Sequence, residues 1–319
     1  MINILITGSN GFIGSELIKY LANSNKYKIF AVSRKQIFFY HINIKNYYIN
    51  DSNIYSFFNN IFEDIDIVVH LAGIAHQFKD NLESKKKYYD INTFFTKKLL
   101  EQSIKKKVKK FIFISSVKVY GEQNLNNDPN KPFSYLDKPN PMNDYSKSKY
   151  QAENIITKLC QDAYTDYTII RSPLVYGNNL KGNFERLIRL LEKNLPLPFK
   201  SITNKRSYVS IYNLIDFIEI CILNKKSNNK IFLISDSTNL STPELINKIS
   251  LSIGKKNKLF FFPTKILYLF FFIFNKKKDF NRITSSLTVD ISNTYKILNW
   301  KPKITFDQSL KIMFNNNGN

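Results

Sequence analysis

Glycine, cysteine and arginine are scarce in this chain of 319 residues, which holds 9 Gly, 2 Cys and 6 Arg against 41 Lys. The cysteines, Cys160 and Cys221, lie in apolar helical contexts with no pairing or metal spacing. A disulfide-stapled scaffold is therefore excluded and a reduced, cytoplasmic setting expected. His41, His70 and His76 show no ligand spacing either, so no metal is expected. No apolar run approaches the roughly 20 residues of a membrane-spanning helix. The longest, Ile266 to Phe274, has nine, bracketed by Lys265 and Lys276. It predicts a buried or half-buried helix, with contact to a membrane surface or a partner as the alternative. The chain enters Ile2-Asn3-Ile4-Leu5-Ile6 with no basic start or cleavage site, so no secretory signal is expected.

With 47 basic and 25 acidic side chains the formal charge is +22. The excess is lysine spread along the whole chain, as in Lys85 to Lys87 and Lys105 to Lys107, with no basic and aromatic platform. No nucleic-acid partner is expected. A hydrophobic content of 43% is enough to bury a large core in one large domain or two closely packed ones.

Short β-branched or aromatic runs alternate with helical periodicity through the first half, the pattern of a parallel sheet with crossover helices. Strands are predicted at Ile2 to Thr7, Lys28 to Val32, Asp66 to Leu71, Phe111 to Ser115 and Tyr167 to Ile170. After Arg171 the rhythm loosens. A helix over Asn213 to Leu223 and a strand at Ile231 to Ile234 are expected to rejoin the sheet, and Ser241-Thr242-Pro243-Glu244 reads as a capping box opening a helix. The fold expected is α/β, a doubly wound parallel sheet with a smaller C-terminal substrate-binding lobe. Residues 1–180 plus 208–235 form the nucleotide-binding domain in this division, and 181–207 plus 236–319 form the lobe.

The glycines that remain are informative. Soluble proteins carry about 7% Gly, and three of the nine here fall in Thr7-Gly8-Ser9-Asn10-Gly11-Phe12-Ile13-Gly14, between the first strand and an apolar-periodic helix. Gly8 permits a tight turn, Gly11 lets backbone amides approach a diphosphate, and Gly14 lets helix and strand pack closely. The helix N-terminus adds partial positive charge. This is a dinucleotide-binding loop. The second strand ends Ser33-Arg34-Lys35 without the carboxylate that holds a ribose 2′-hydroxyl, so NADP(H) is favoured, with NAD(H) the alternative.

Of the 19 tyrosines only Tyr145 has a lysine four residues on, Lys149, which puts both on one helix face. Ionising a free tyrosine at neutral pH costs about 4 kcal/mol. An ammonium about 4 Å away returns a similar amount at an effective dielectric near 20, and only about 1 kcal/mol in bulk water. A sheltered Lys149 is thus expected to favour the tyrosinate. Ser116 ends the fourth predicted strand, where open sheets of this kind bind ligands, and its hydroxyl suits a substrate oxygen whose charge changes during reaction.

With these residues in place the chain resembles the extended short-chain dehydrogenase/reductase superfamily, in particular the NAD-dependent epimerase/dehydratase family acting on nucleotide sugars. The resemblance rests on Thr7 to Gly14, His70-Leu71-Ala72-Gly73, Asn92, Ser115-Ser116, Val119-Tyr120-Gly121, Tyr145 to Lys149, Arg171 to Gly177 and Arg206-Ser207-Tyr208-Val209. It implies a Rossmann fold with Ser116, Tyr145 and Lys149 as the catalytic triad, Lys149 also touching the nicotinamide ribose. Leu71, Ala72, Gly73 and Asn92 would line the cofactor, and Pro173 and Leu174 would lie near the nicotinamide. Arg206 would grip the substrate diphosphate, with Asn183 and Arg282 as further substrate contacts. Arginine's planar fork suits phosphate, which makes Arg206 and Arg282 notable in so lysine-rich a chain.

Val117 and Lys118 stand where dehydratases of the family carry an Asp-Glu pair, which disfavours water elimination. The nearest likeness is to UDP-4-keto-6-deoxy-N-acetylhexosamine 4-reductases of surface-polysaccharide synthesis. The alternative is a UDP-glucose or UDP-N-acetylglucosamine 4-epimerase, and in another class a non-catalytic NAD(P)-binding sensor or scaffold, against which the intact triad argues. The resemblance also implies a UDP-sugar as partner and a homodimer.

Overall fold

The computed structural model describes residues 1–36, 38–50, 61–75, 82–178, 180 and 182–315, with only the backbone of Glu63 and Asn183. Seven strands form one wholly parallel sheet: β1 (Ile2–Thr7), β2 (Tyr27–Ser33), β3 (Ile44–Tyr48), β4 (Ile67–His70), β5 (Lys110–Ser116), β6 (Asp166–Ser172) and β9 (Lys230–Leu233). Their order is β3-β2-β1-β4-β5-β6-β9. The chain runs outward from β1 to β2 and β3, then returns to β4 on the other side. That reversal opens a crevice beyond the carboxyl ends of β1 and β4.

Strand alternation builds two cores, one on each face. Ile4 and Ile6 of β1 and Ile112 and Ile114 of β5 join α1 (Phe12–Ala22) and a later helix, Ile211–Leu223, on one side. Leu5, Phe111 and Phe113 point the other way. There they meet Leu99 and Leu100 of Phe95–Lys105, and Ala152 and Ile156 of Asp144–Cys160. In chain order the helices are α2 (Leu82–Tyr89), α3 (Phe95–Lys105), α4 (Asp144–Cys160), α5 (Asn183–Glu192) and α6 (Ile211–Leu223), with a π turn, Asp90–Phe94, joining α2 to α3. The doubly wound prediction holds. β3 has no counterpart among the predicted strands because its Ile-Lys-Asn-Tyr-Tyr sequence, at the sheet edge, lacks a continuous apolar run.

The lobe contains α7 (Thr242–Ser252), α8 (Thr264–Ile273), α9 (Lys277–Thr284), α10 (Ser292–Leu298) and α11 (Phe306–Asn315). A second sheet of β7 (Leu174–Tyr176), β8 (Arg206–Ser210) and β10 (Asn239–Leu240) runs along it. These strands are too short to show a period in sequence. The predicted capping box opens α7: the Ser241 hydroxyl accepts from the Glu244 amide at 3.3 Å, and the Glu244 carboxylate accepts from the Ser241 amide at 2.7 Å. Tyr176, Phe184, Ile246, Ile249 and Phe306 form the lobe's core. The apolar run over Ile266 to Phe274 departs from the buried or half-buried helix expected first, since within α8 only Leu267 is buried and most of the rest is exposed.

Candidate active site

The glycine loop leaves β1 at Thr7 and turns at Gly8, whose φ of +69° favours glycine. A β-carbon there would lie 2.7 Å from the Ala72 amide nitrogen, and one on Gly14 would lie 2.2 Å from the Gly8 carbonyl. Side chains at either position would force the loop apart. The Gly11 amide donates to the Gly8 carbonyl at 2.9 Å and the Ser9 amide to Val32 at 3.1 Å, which ties the loop to the end of β2. Helix α1 then starts with no side-chain cap, so its first amides are left for an anion. Asn10, Phe12 and Ile13 are half-buried around that mouth and Ser9 lies beneath it. This close-packed cradle with an uncapped helix start fits a dinucleotide diphosphate.

Beside it, the Ser33 hydroxyl turns back to donate to the Lys35 carbonyl, and Arg34 is exposed. From β4, Leu71, Ala72 and Gly73 run past the loop. A β-carbon on Gly73 would come within 3.1 Å of Asn92 Oδ1 and 3.5 Å of Lys149 Nζ. Thus the cofactor-loop candidates and the candidate catalytic residue Lys149 converge. Asn92 sits in the π turn, where its amide accepts from the Ile74 amide at 2.9 Å and donates to the Ser148 hydroxyl at 3.0 Å. Pro173 is buried and Leu174 is exposed at the start of β7.

Helix α4 begins with a capping box between Asn143 and Ser146, which sets its first turn at the end of β5. Tyr145, half-buried on that turn, has its phenol pushed up to about 12 by desolvation; the neighbouring Ser116 hydroxyl acts in the other direction, and Tyr88 and Glu122 reinforce the rise. Lys149 is buried one turn on. Its ammonium donates to the Ile114 carbonyl at 2.7 Å, lies 4.2 Å from the Phe113 ring centre, and is pushed down to about 7 by burial, with Glu153 opposing. Ser116, Tyr145 and Lys149 therefore share one end of β5 and α4. The Lys149 nitrogen turns to the Ile114 carbonyl of β5, and burial sets the direction of the Tyr145 shift, opposite to the one expected from a sheltered ammonium.

On the lobe side Arg206 donates from Nη1 to the carbonyls of Arg282 and Ser285, both at 3.2 Å. The Arg282 guanidinium is half-exposed and donates to Asp279 at 3.0 Å. The two arginines meet through backbone, with the Arg282 side chain directed to an acid on its own helix. The Asn183 side chain and His76 lie outside the described residues.

The model of the NAD dependent epimerase/dehydratase family matches residues 4–235. The chain belongs to that family. A relative from Vibrio cholerae, a UDP-glucose 4-epimerase, is 38% identical over 314 residues, covering 97% of this chain and 93% of the relative. An Escherichia coli relative, N-acetyl-alpha-D-glucosaminyl-diphospho-ditrans,octacis-undecaprenol 4-epimerase, is 29% identical over 257 residues, 80% of this chain and 73% of the other. Two Bacillus cereus structures share the fold. A UDP-glucuronic acid 4-epimerase in complex with NAD has a TM-score of 0.79 at 23% identity, covering 98% of both chains. A UDP-N-acetylglucosamine 4-epimerase has a TM-score of 0.79 at 17% identity over the full length of both.

Two buried polar clusters flank the candidate site residues, one around His70 and one around Arg171. His70 is fully buried among Phe95, Phe111 and Phe113, and burial together with Lys149 holds its pKa well below the ordinary histidine value. The Thr96 hydroxyl donates to the Asn92 carbonyl at 2.8 Å, so His70 Nε2–H donates to Thr96 at 2.8 Å, and Nδ1 accepts from the Thr7 hydroxyl at 2.6 Å. Thr7 in turn accepts from the Ala72 amide. One neutral imidazole thereby joins the glycine loop, the β4 loop and the π turn. Behind α4, Arg171 donates to Glu153 at 2.5–3.2 Å and to the Tyr120 hydroxyl at 2.6 Å, all three buried. Arginine within an apolar strand of a lysine-rich chain was the available signal.

Proposed function

We propose that this chain is a UDP-sugar 4-epimerase, inverting the hydroxyl-bearing C4 of a UDP-hexose or UDP-N-acetylhexosamine. The observation that carries the reading is the half-buried Tyr145 phenol beside Ser116, on the helix turn that also supplies Lys149. The 38% identity to a UDP-glucose 4-epimerase across nearly the whole chain supports it. A nicotinamide dinucleotide, held by Thr7 to Gly14, Leu71 to Gly73, Lys149 and Pro173-Leu174, supplies the hydride acceptor and donor when bound. The Ser116 hydroxyl orients the sugar O4, and Tyr145 takes the O4 proton and later returns it. His70 and Asn92 keep the loops around them in register, and Lys149, held by the Ile114 carbonyl, stands beside Gly73 of the cofactor cradle. Arg206 in the lobe is suited to the diphosphate.

Water elimination finds no support at the positions that follow Ser116. Val117 is buried and Lys118 is paired with Glu122 at 2.8 Å, so no pair of carboxylates stands there. A 4-keto-sugar reductase using NADPH is the second reading, favoured by exposed Arg34 at the end of β2 and the lack of an acid beside it.

Incubation with UDP-glucose and UDP-N-acetylglucosamine plus NAD is expected to give the C4 isomer with no net change in cofactor, read by NMR. Tyr145→Phe is expected to lower turnover by at least about a thousandfold while cofactor affinity stays within about twofold. NADPH consumed in step with reduction of a UDP-4-keto-sugar, without isomer formation, would move the assignment to the reductase.

A further inference from the structure

Helix α8 is the least buried apolar element among the described residues. Tyr268 and Phe271 pack on Phe280 of α9, with ring centres 5.2 and 5.9 Å apart. Ile266, Leu269, Phe270 and Ile273 recur at helical spacing and are each 52–68% exposed. A core helix does not leave such a face bare, and four large apolar side chains on one stripe exceed the scattered exposure normal for a surface.

The charge around this face selects its occupant. Between Glu244 and Asp279 there is no acidic residue, whereas eight lysines occur. Lys265 stands in the first turn of α8, and Lys276 and Lys277 follow its end, all exposed. Two copies of the chain meeting through this face would bring equivalent lysine clusters together in a molecule already at +22. An anionic surface with an apolar layer beneath it matches both features. At ten residues α8 is about 15 Å long, half of a bilayer's hydrocarbon thickness of about 30 Å, so it lies along such a surface.

We propose that α8 docks this protein on an anionic lipid bilayer. Its Phe270 face enters the acyl boundary, and Lys265, Lys276 and Lys277 meet the headgroup phosphates. The adjoining α9 packs Phe280 against Tyr268 and Phe271 from its own side, which leaves the Phe270 face to the bilayer.

Co-sedimentation of the full chain with vesicles tests this independently of any turnover. Binding is expected to phosphatidylcholine vesicles containing phosphatidylglycerol, not to phosphatidylcholine alone, and to weaken as salt rises. Replacing Lys265, Lys276 and Lys277 by Gln is expected to weaken binding about fivefold per lysine. Phe270→Glu with Ile273→Glu is expected to abolish it while thermal stability and turnover in solution stay unchanged. Equal binding to neutral and anionic vesicles, or none to either, would overturn the proposal. So would a solution dimer that the double substitution converts to monomer, which would give the face to a second copy.

Discussion

A phenol whose pKa stands near 12 gives up its proton at pH 7 only at a cost of about 7 kcal/mol. A neighbouring ammonium offsets about 4 kcal/mol of that at best, and here the Lys149 nitrogen is held by the Ile114 carbonyl. The phenol is therefore neutral in the unliganded site, and further positive charge there is needed for Tyr145 to act as the proposed base. The burial that raises the tyrosine lowers the lysine, from 10.5 to about 7. Between those two values the unfolded chain binds a proton that the folded chain does not, so this group makes stability rise with pH across that window, with its full penalty below about pH 7. Lys149→Met is expected to flatten the dependence of melting temperature on pH between 7 and 10, as well as to abolish turnover. An unchanged slope would show that the lysine stays charged in the folded state.

Helix α4 carries Tyr145 and Lys149 and is held from two sides. Toward the glycine loop, the Thr93 hydroxyl donates to the Ser148 carbonyl at 2.9 Å, and Asn92 bonds the Ser148 hydroxyl, which donates on to the Tyr145 carbonyl at 2.8 Å. The π turn widens the α2–α3 helix where these contacts are made. Toward β6, Glu153 sits one turn beyond Lys149 and takes the Arg171 fork. Removing one charge of such a buried pair leaves the other uncompensated, at a cost of about 3–5 kcal/mol. Glu153→Gln is therefore expected to lower chemical-denaturation stability by that amount. Replacing both Glu153 and Arg171 by apolar residues of similar volume should cost less than the single substitution.

At the scale of the whole molecule, the proposed function divides the ligands between the sheet and the lobe. The parallel sheet and its loops hold the cofactor cradle, and the lobe carries Arg206, anchored to the carbonyls that end α9. A ligand that binds only the folded state stabilises it by about 2.7 kcal/mol at a hundredfold excess over its dissociation constant. UDP alone is expected to raise the melting temperature, and Arg206→Lys to remove most of that rise while leaving the rise due to NAD intact. Loss of both effects together would show instead that Arg206 holds the lobe's structure.

Local order was readable from the chain alone where a short segment is sufficient to specify it. The β1–glycine loop–α1 unit, the Tyr145–Lys149 spacing and the Ser241 capping box each depend on residues a few positions apart, and each stands in the structure as read. The seven-strand parallel sheet was legible except for its edge, because strands buried on both faces must be continuously apolar and β3 is not. Tertiary packing alone decided what depends on residues far apart in sequence. It sets the neutral tautomer of His70 between Thr7 and Thr96, the Arg171–Glu153–Tyr120 cluster, and the turn of the Lys149 ammonium to the Ile114 carbonyl. It also left α8 uncovered, an outcome no hydrophobic run can announce, since burial is a property of neighbours and not of the segment itself.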